Sequence, residues 1–270
     1  MTRAAAASGF IRQVDDLMYG AECVFRGLRI FYSRPRLWPY ALPPLVCVFL
    51  LYGGVLALIH FQAAPALESW LTGVQFPSWL SWLQTALQTG LTAILWIASA
   101  LILLICLGSI YEMFGGILFD YLLEAFEKKA FPDRPGGGQT IRETVVLTCG
   151  MATFAVVSAI KMLFLLFLSF LIPVAGPLLF FLYSGAVYGV SYLSGSAIRQ
   201  SAGIRVLKRQ VARNRLAVLG FGCTANILLM IPFFILILMP GLVIGGSILY
   251  HGKLMDPAGP VERSRRELPA

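Results

Sequence analysis

Long uncharged runs divide this chain, and their lengths set the first expectations. Residues 37–67 carry no charged side chain, and Glu68 is the only charge between Leu37 and Tyr111. Two further uncharged runs cover residues 162–198 and 216–252. A helix of about 20 apolar residues crosses the roughly 30 Å of bilayer hydrocarbon. Pro35 just before the first run, and Pro39, Pro43 and Pro44 within it, crowd its start. Proline suits a first helical turn and breaks an interior one, so a spanning helix is predicted to start near Pro43 and to occupy residues 43–62. A second is predicted over residues 86–110. Between them, Trp70, Trp79 and Trp82 with Pro65, Gly73 and Pro77 read as a segment at the membrane interface, where tryptophan collects.

The two late runs are 37 residues each. That is too long for one crossing, and two crossings with a turn need about 44 residues. Each is therefore predicted to be a hairpin of two short helices that dips into the bilayer and returns. The bounds are about 151–198 and 216–250. The first tip falls at Ile172-Pro-Val-Ala-Gly-Pro177, and the second run contains Pro232, Pro240 and Gly241. Broken backbone at that depth must be shielded by protein or water, which argues for packing between subunits or around a cavity. The expected fold is all-α integral membrane: two long transmembrane helices plus two proline-tipped, hemi-penetrating hairpins. They form one membrane domain, residues 1–255, followed by a disordered tail, 256–270.

After the second span, Glu112, Asp120, Glu124 and Lys128 punctuate an amphipathic stretch with Phe114, Leu118, Tyr121, Leu122 and Phe126. Asp120, Glu124 and Lys128 share a face at i, i+4 spacing, which reads as a structural face rather than a proton relay. The segment 131–138, with two prolines and three consecutive glycines, is a loop by composition.

Composition agrees with the pattern. Apolar types make up 58% of the chain and charged residues 13%, against about 25% charged in soluble domains; mean hydropathy is +0.79. The net charge is +8, but the basic residues cluster between the apolar runs. Arg26, Arg29, Arg34 and Arg36 precede the first span. Arg199, Arg205, Lys208, Arg209, Arg213 and Arg215 lie between the hairpins, while residues 63–90 hold no Lys or Arg. All the clusters can share the cytoplasmic side if the hairpins return to the side they left. This places both termini in the cytoplasm and a lipid bilayer, not nucleic acid, against the positive charge.

Chemistry-bearing clusters are sparse. The five cysteines are dispersed, and His60 and His251 stand alone without ligand-spaced partners, so neither a disulfide framework nor a metal site is expected. No Ser/His/Asp set or paired carboxylate marks an enzyme, and no cofactor is implied. Gly53-Gly54, Gly115-Gly116 and Gly245-Gly246 are expected to permit close helix approach.

Several segments together resemble one family. Pro35 through Pro44-Leu45, Phe119-Asp120-Tyr-Leu-Leu-Glu124, Phe170-Leu-Ile-Pro-Val-Ala-Gly-Pro177, Leu219-Gly-Phe-Gly222, Met230-Ile-Pro-Phe-Phe-Ile-Leu-Ile-Leu-Met-Pro240 and Gly245-Gly-Ser247 are similar, in order and spacing, to the CysZ-like sulfate permeases of the etoposide-induced-protein superfamily. The resemblance covers about residues 26–247. It implies an oligomeric inner-membrane permease that brings sulfate, or a related oxyanion, into the cytoplasm for sulfur assimilation. It also implies Pro-Gly-Leu-Arg-Arg before the first span, with arginines and backbone holding sulfate. Here the aligned residues are Pro35-Arg36-Leu37-Trp38-Pro39, so Trp38 and Pro39 stand where the two arginines are expected.

An anion site remains chemically available. Arg34 and Arg36 flank a helix start, and amides near residues 45–47 would be free to join them. Arg34, Arg36, Leu37 and Arg29 are therefore the candidate anion-binding residues. The alternative is that the arginines are positive-inside anchors reaching for headgroups. Lys161 precedes a wholly apolar run and is a candidate pathway residue, or else a snorkelling one. A non-transporting scaffold or assembly protein of the same superfamily is the competing function.

Overall fold

The computed structural model describes residues 2–72, 81–132, 141–200, 204–231 and 233–255. Every regular element among them is helical: α1 (Thr2–Ser33), α2 (Trp38–Leu58), α3 (Ala64–Thr72), α4 (Ser81–Ala130), α5 (Ile141–Leu171), α6 (Ala175–Arg199), α7 (Ile204–Arg213), α8 (Arg215–Leu229) and α9 (Phe234–Leu249). A 3-10 turn, Pro35–Leu37, leads into α2. Single π turns extend α2 over Ile59–Ala63 and α9 over Tyr250–Leu254. Five stretches are long and apolar enough to cross a membrane: Pro35–Leu67, Thr85–Leu104, Cys149–Leu171, Ala175–Arg199 and Phe234–Leu254. The protein is an all-α multi-pass membrane protein, as the uncharged runs predict. Trp79, Pro232, the glycines at 136–138 and the tail 256–270 lie outside the described residues.

The first spanning helix begins earlier than Pro43, at Trp38, and runs through Pro43 and Pro44. Proline at these positions removes hydrogen bonds that would reach the carbonyls of Pro39 and Tyr40, both in the first turn. Ladder loss is confined to the end of the helix, where it is least costly.

The chain forms two compact units. In Leu42–Gly116, the Tyr52 hydroxyl donates to the Leu103 carbonyl, and the rings of His60 and Trp96 lie 6.1 Å apart. Phe49, Leu50, Ile97 and Ile102 are exposed, the surface of helices made for lipid rather than water.

The other unit combines Met1–Ala41 with Ile117–Ala270. Its centre is α1, α6, α8 and α9, brought into backbone contact by small residues. A Cβ added at Gly222 of α8 would collide with the Gly185 carbonyl oxygen of α6, and one at Gly220 with that of Leu17 on α1. Gly245 and Gly246 also approach the carbonyls of Cys23 and Tyr192, though less closely, as expected for that pair. Gly53 and Gly54 instead meet no described residue within 4 Å, so the close approach expected there is not seen among the described residues. Helices in lipid gain little from apolar burial against each other, so such contact is how they associate.

Both hairpins form, but the first is not made of the two short helices expected of it. The first joins α5 to α6 through Ile172, Pro173 and Val174. Its arms are 31 and 25 residues long, more than an uncharged run of 37 residues could supply, because α5 starts well before Lys161 and carries that charge within it. The Ile172 amide donates to the Leu168 carbonyl at 2.9 Å, and that of Gly176 to the Ile172 carbonyl at 3.0 Å. The turn thus keeps these amides satisfied, as an apolar medium demands. In the second hairpin α8 has 15 residues, which at 1.5 Å per residue is about 22 Å and short of a full crossing.

Candidate functional site

The arginine group predicted near the first span sits on α1 and the 3-10 turn that follows it. Arg29 and Arg36 are exposed, Arg34 is half-buried and Leu37 is buried. The Leu37 amide donates to the Arg34 carbonyl at 2.9 Å, and the Trp38 amide to the Pro35 carbonyl. The amides near residues 45–47 do not complete a cradle. They lie inside α2, which starts at Trp38, and the helical ladder uses them. The structure therefore leaves arginines without those free amides, a consequence of the helix running through Pro43 and Pro44. No described residue pairs with the side chains of Arg29, Arg34 or Arg36.

Lys161 has different surroundings. It lies on α5 within the stretch Cys149–Leu171, where it is the only charged residue. It opens on a cleft of about 530 Å³ between α5, α6 and α7, lined also by Thr153, Phe154, Ser158, Tyr183 and Lys208. Residues 150, 153, 154, 157, 158 and 161 recur at helical spacing, so one face of α5 forms the wall. Lys208 reaches the cleft from the basic helix α7, its Nζ 5.9 Å from the centroid of the Phe154 ring. Among the described residues, no carboxylate lines this space.

A third constellation was not foreseen from the sequence. Glu127, only 2% exposed, lies near the C-terminal end of α4. Its Oε1 accepts hydrogen bonds from Ser196 Oγ at 2.7 Å and Ser247 Oγ at 2.8 Å, and its Oε2 accepts one from Arg199 Nε at 3.0 Å. His251 Nδ1 stands 3.9 Å from Oε1 and 3.0 Å from the Ser247 carbonyl. The imidazole stacks on Phe131 at 4.3 Å. One carboxylate thereby joins α4, α6 and α9. The signal was present in the periodicity: Phe119, Leu122, Leu123 and Phe126 are all buried, and Glu127 continues their i, i+3, i+4, i+7, i+8 stripe. A carboxylate on an apolar stripe needs buried partners, and here they come from distant helices.

The neighbouring exposed face behaves as its spacing predicts. Glu124 pairs with Lys128 at 2.6 Å and with Arg199 at 3.5 Å. The Lys128 hydrogen bond holds the Glu124 carboxyl below its ordinary range. His251 is thus a buried hydrogen-bonding group, and no cluster of three His, Cys, Asp or Glu among the described residues could hold a metal.

Residues 23–240 match the family model described as sulfate transporter CysZ/etoposide-induced protein 2.4. A curated relative, the sulfate transporter CysZ of Pectobacterium atrosepticum, is 24% identical over 241 residues. The alignment covers 87% of this chain and 86% of that protein.

Proposed function

The chain belongs to the sulfate transporter CysZ/etoposide-induced protein 2.4 family, and from that premise we propose that it is a permease carrying sulfate or a related oxyanion. The reading places it in the inner membrane with both termini in the cytoplasm, as a homo-oligomer serving sulfur assimilation. The observation that carries it is the near end-to-end alignment with a relative named as a sulfate transporter. The chemistry supports it. A chain of net charge +8 that presents Arg29, Arg34 and Arg36 beside the buried Leu37 attracts a dianion toward the start of α2. Lys161 offers a second cation within an apolar stretch.

The test is uptake of radiolabelled sulfate by sealed vesicles holding the purified protein. Uptake well above empty vesicles is expected, reduced by Arg36→Ala. Uptake equal to empty vesicles sinks the permease reading. Uptake unchanged by the substitution removes the arginine site and leaves transport standing.

One observation favours a second reading, a scaffold or assembly protein of the same superfamily. Trp38 and Pro39 occupy the places where the resemblance leads one to expect paired arginines, and the same uptake measurement separates the two.

A further inference from the structure

We infer that the cleft between α5, α6 and α7 is a binding site for a tetrahedral oxyanion, either free sulfate or the phosphate of a lipid headgroup, held by Lys161 and Lys208. The identification of sulfate as the free ion rests on the permease reading. The binding chemistry does not.

Three observations converge. The first is the placement of Lys161. A lysine inside an apolar membrane stretch is expensive unless it meets water, a partner or a ligand. Lys161 is the sole charge of Cys149–Leu171, and it opens on a cleft rather than on a continuous apolar face. The second is Lys208. It reaches the same cleft from a different helix, 47 residues later in the chain, and its ammonium lies over the Phe154 ring. Stacking of this kind orients a cation without neutralising it. The third is the rest of the lining. Ser158, only 2% exposed, and Tyr183 supply hydroxyls, whereas the Thr153 hydroxyl donates to the Cys149 carbonyl. With no carboxylate on the described walls, like charges converge on one space with donors around it.

That combination costs free energy when empty and gains it when an anion enters. Both lysines are exposed, so their ammonium groups repel each other only weakly across the cleft, and a dianion between them reverses the sign. Tetrahedral oxyanions accept several hydrogen bonds at once, which ammonium and hydroxyl donors provide. α7 adds Arg205, Arg209 and Arg213, all exposed, so the approach to the cleft is electropositive as well. A lone snorkelling lysine would need neither the second cation nor the buried hydroxyl.

The full-length protein in nanodiscs tests this. Binding of radiolabelled sulfate is measured by equilibrium titration in neutral phosphatidylcholine discs, for the native protein and for Lys161→Gln and Lys208→Gln. Lys129→Gln, an exposed lysine away from the cleft, controls for general surface charge. In parallel, native mass spectrometry reads retention of phosphatidylglycerol by the same variants. If the ion is free sulfate, each cleft substitution weakens sulfate binding about tenfold, the order expected from losing one charge-assisted contact, and Lys129→Gln does not. If the group is a lipid phosphate, phosphatidylglycerol retention falls in the cleft variants instead. The proposal is overturned if folded cleft variants keep both sulfate affinity and lipid retention, or if Lys129→Gln weakens binding as much as they do. Native binding without vesicle uptake would sink the permease reading and leave the site intact.

Discussion

Arg199 Nε donates to Glu127 Oε2 at 3.0 Å, an ion pair that ties the last turn of α6 to α4. Glu127 is almost wholly buried, and the Arg199 side chain is about one-fifth exposed. Glu127 has little alternative to its protein partners, because Ser196 and Ser247 occupy its other oxygen. Removing one member of such a cluster strands the others, whereas the pair as a whole adds little compared with an apolar substitute.

Glu127→Ala is therefore expected to destabilise the protein by roughly 2–3 kcal/mol, since it leaves the buried Ser196 and Ser247 hydroxyls without their acceptor and the half-buried Arg199 guanidinium with only Glu124. Arg199→Lys should lose less, because it keeps the charge but not the guanidinium geometry. Thermal unfolding in detergent micelles checks both. A midpoint for Glu127→Ala within a degree of the native one would refute the clasp.

The glycine contacts make a paired prediction. Gly222→Val forces a side chain onto the Gly185 carbonyl and should cost about 3 kcal/mol or more through overpacking. Gly53→Ala meets nothing within 4 Å and should be neutral or stabilising by up to about 1 kcal/mol through helix propensity. Fluorescence-detected size exclusion after heating distinguishes them. Equal behaviour of the two variants would discard the packing account.

Burial pushes the Cys23 thiol up to about 12, with the nearby Arg26 charge pulling only partly against it. Ionisation of a thiol with that pKa is negligible at pH 8, on the order of one part in ten thousand. Cys23 should stay unlabelled by maleimide in the folded protein, being buried, and should become reactive only on unfolding. The readout is peptide mass spectrometry, and rapid native labelling of Cys23 would contradict its burial.

The first hairpin tip is apolar as well as exposed. Phe170 and Val174 are each 83% exposed, and Leu171 and Ile172 flank the turn. Such a surface belongs in hydrocarbon, not water. Val174→Cys in sealed vesicles is accordingly expected to resist a membrane-impermeant thiol reagent applied to either face. Labelling from the side opposite the termini would make both arms full crossings.

What the sequence determined by itself were properties carried by contiguous residues. Helical class, membrane residence and the hairpin at Pro173 follow from uncharged length and proline placement, because the cost of putting polar groups in hydrocarbon is set residue by residue. The Glu124–Lys128 pair was legible for the same reason, being one helical turn apart. Convergence was decided only by tertiary structure. Lys161 could be named as an isolated charge, but its meeting with Lys208 depends on how α5, α6 and α7 pack. Glu127 passed unnoticed although its stripe was readable, since its partners Ser196, Ser247 and His251 come from helices that glycines such as Gly185 and Gly246 allow to approach. Those contacts are non-local: the chain pattern states what each helix is made of, and only the backbone approach between helices states which side chains share a space.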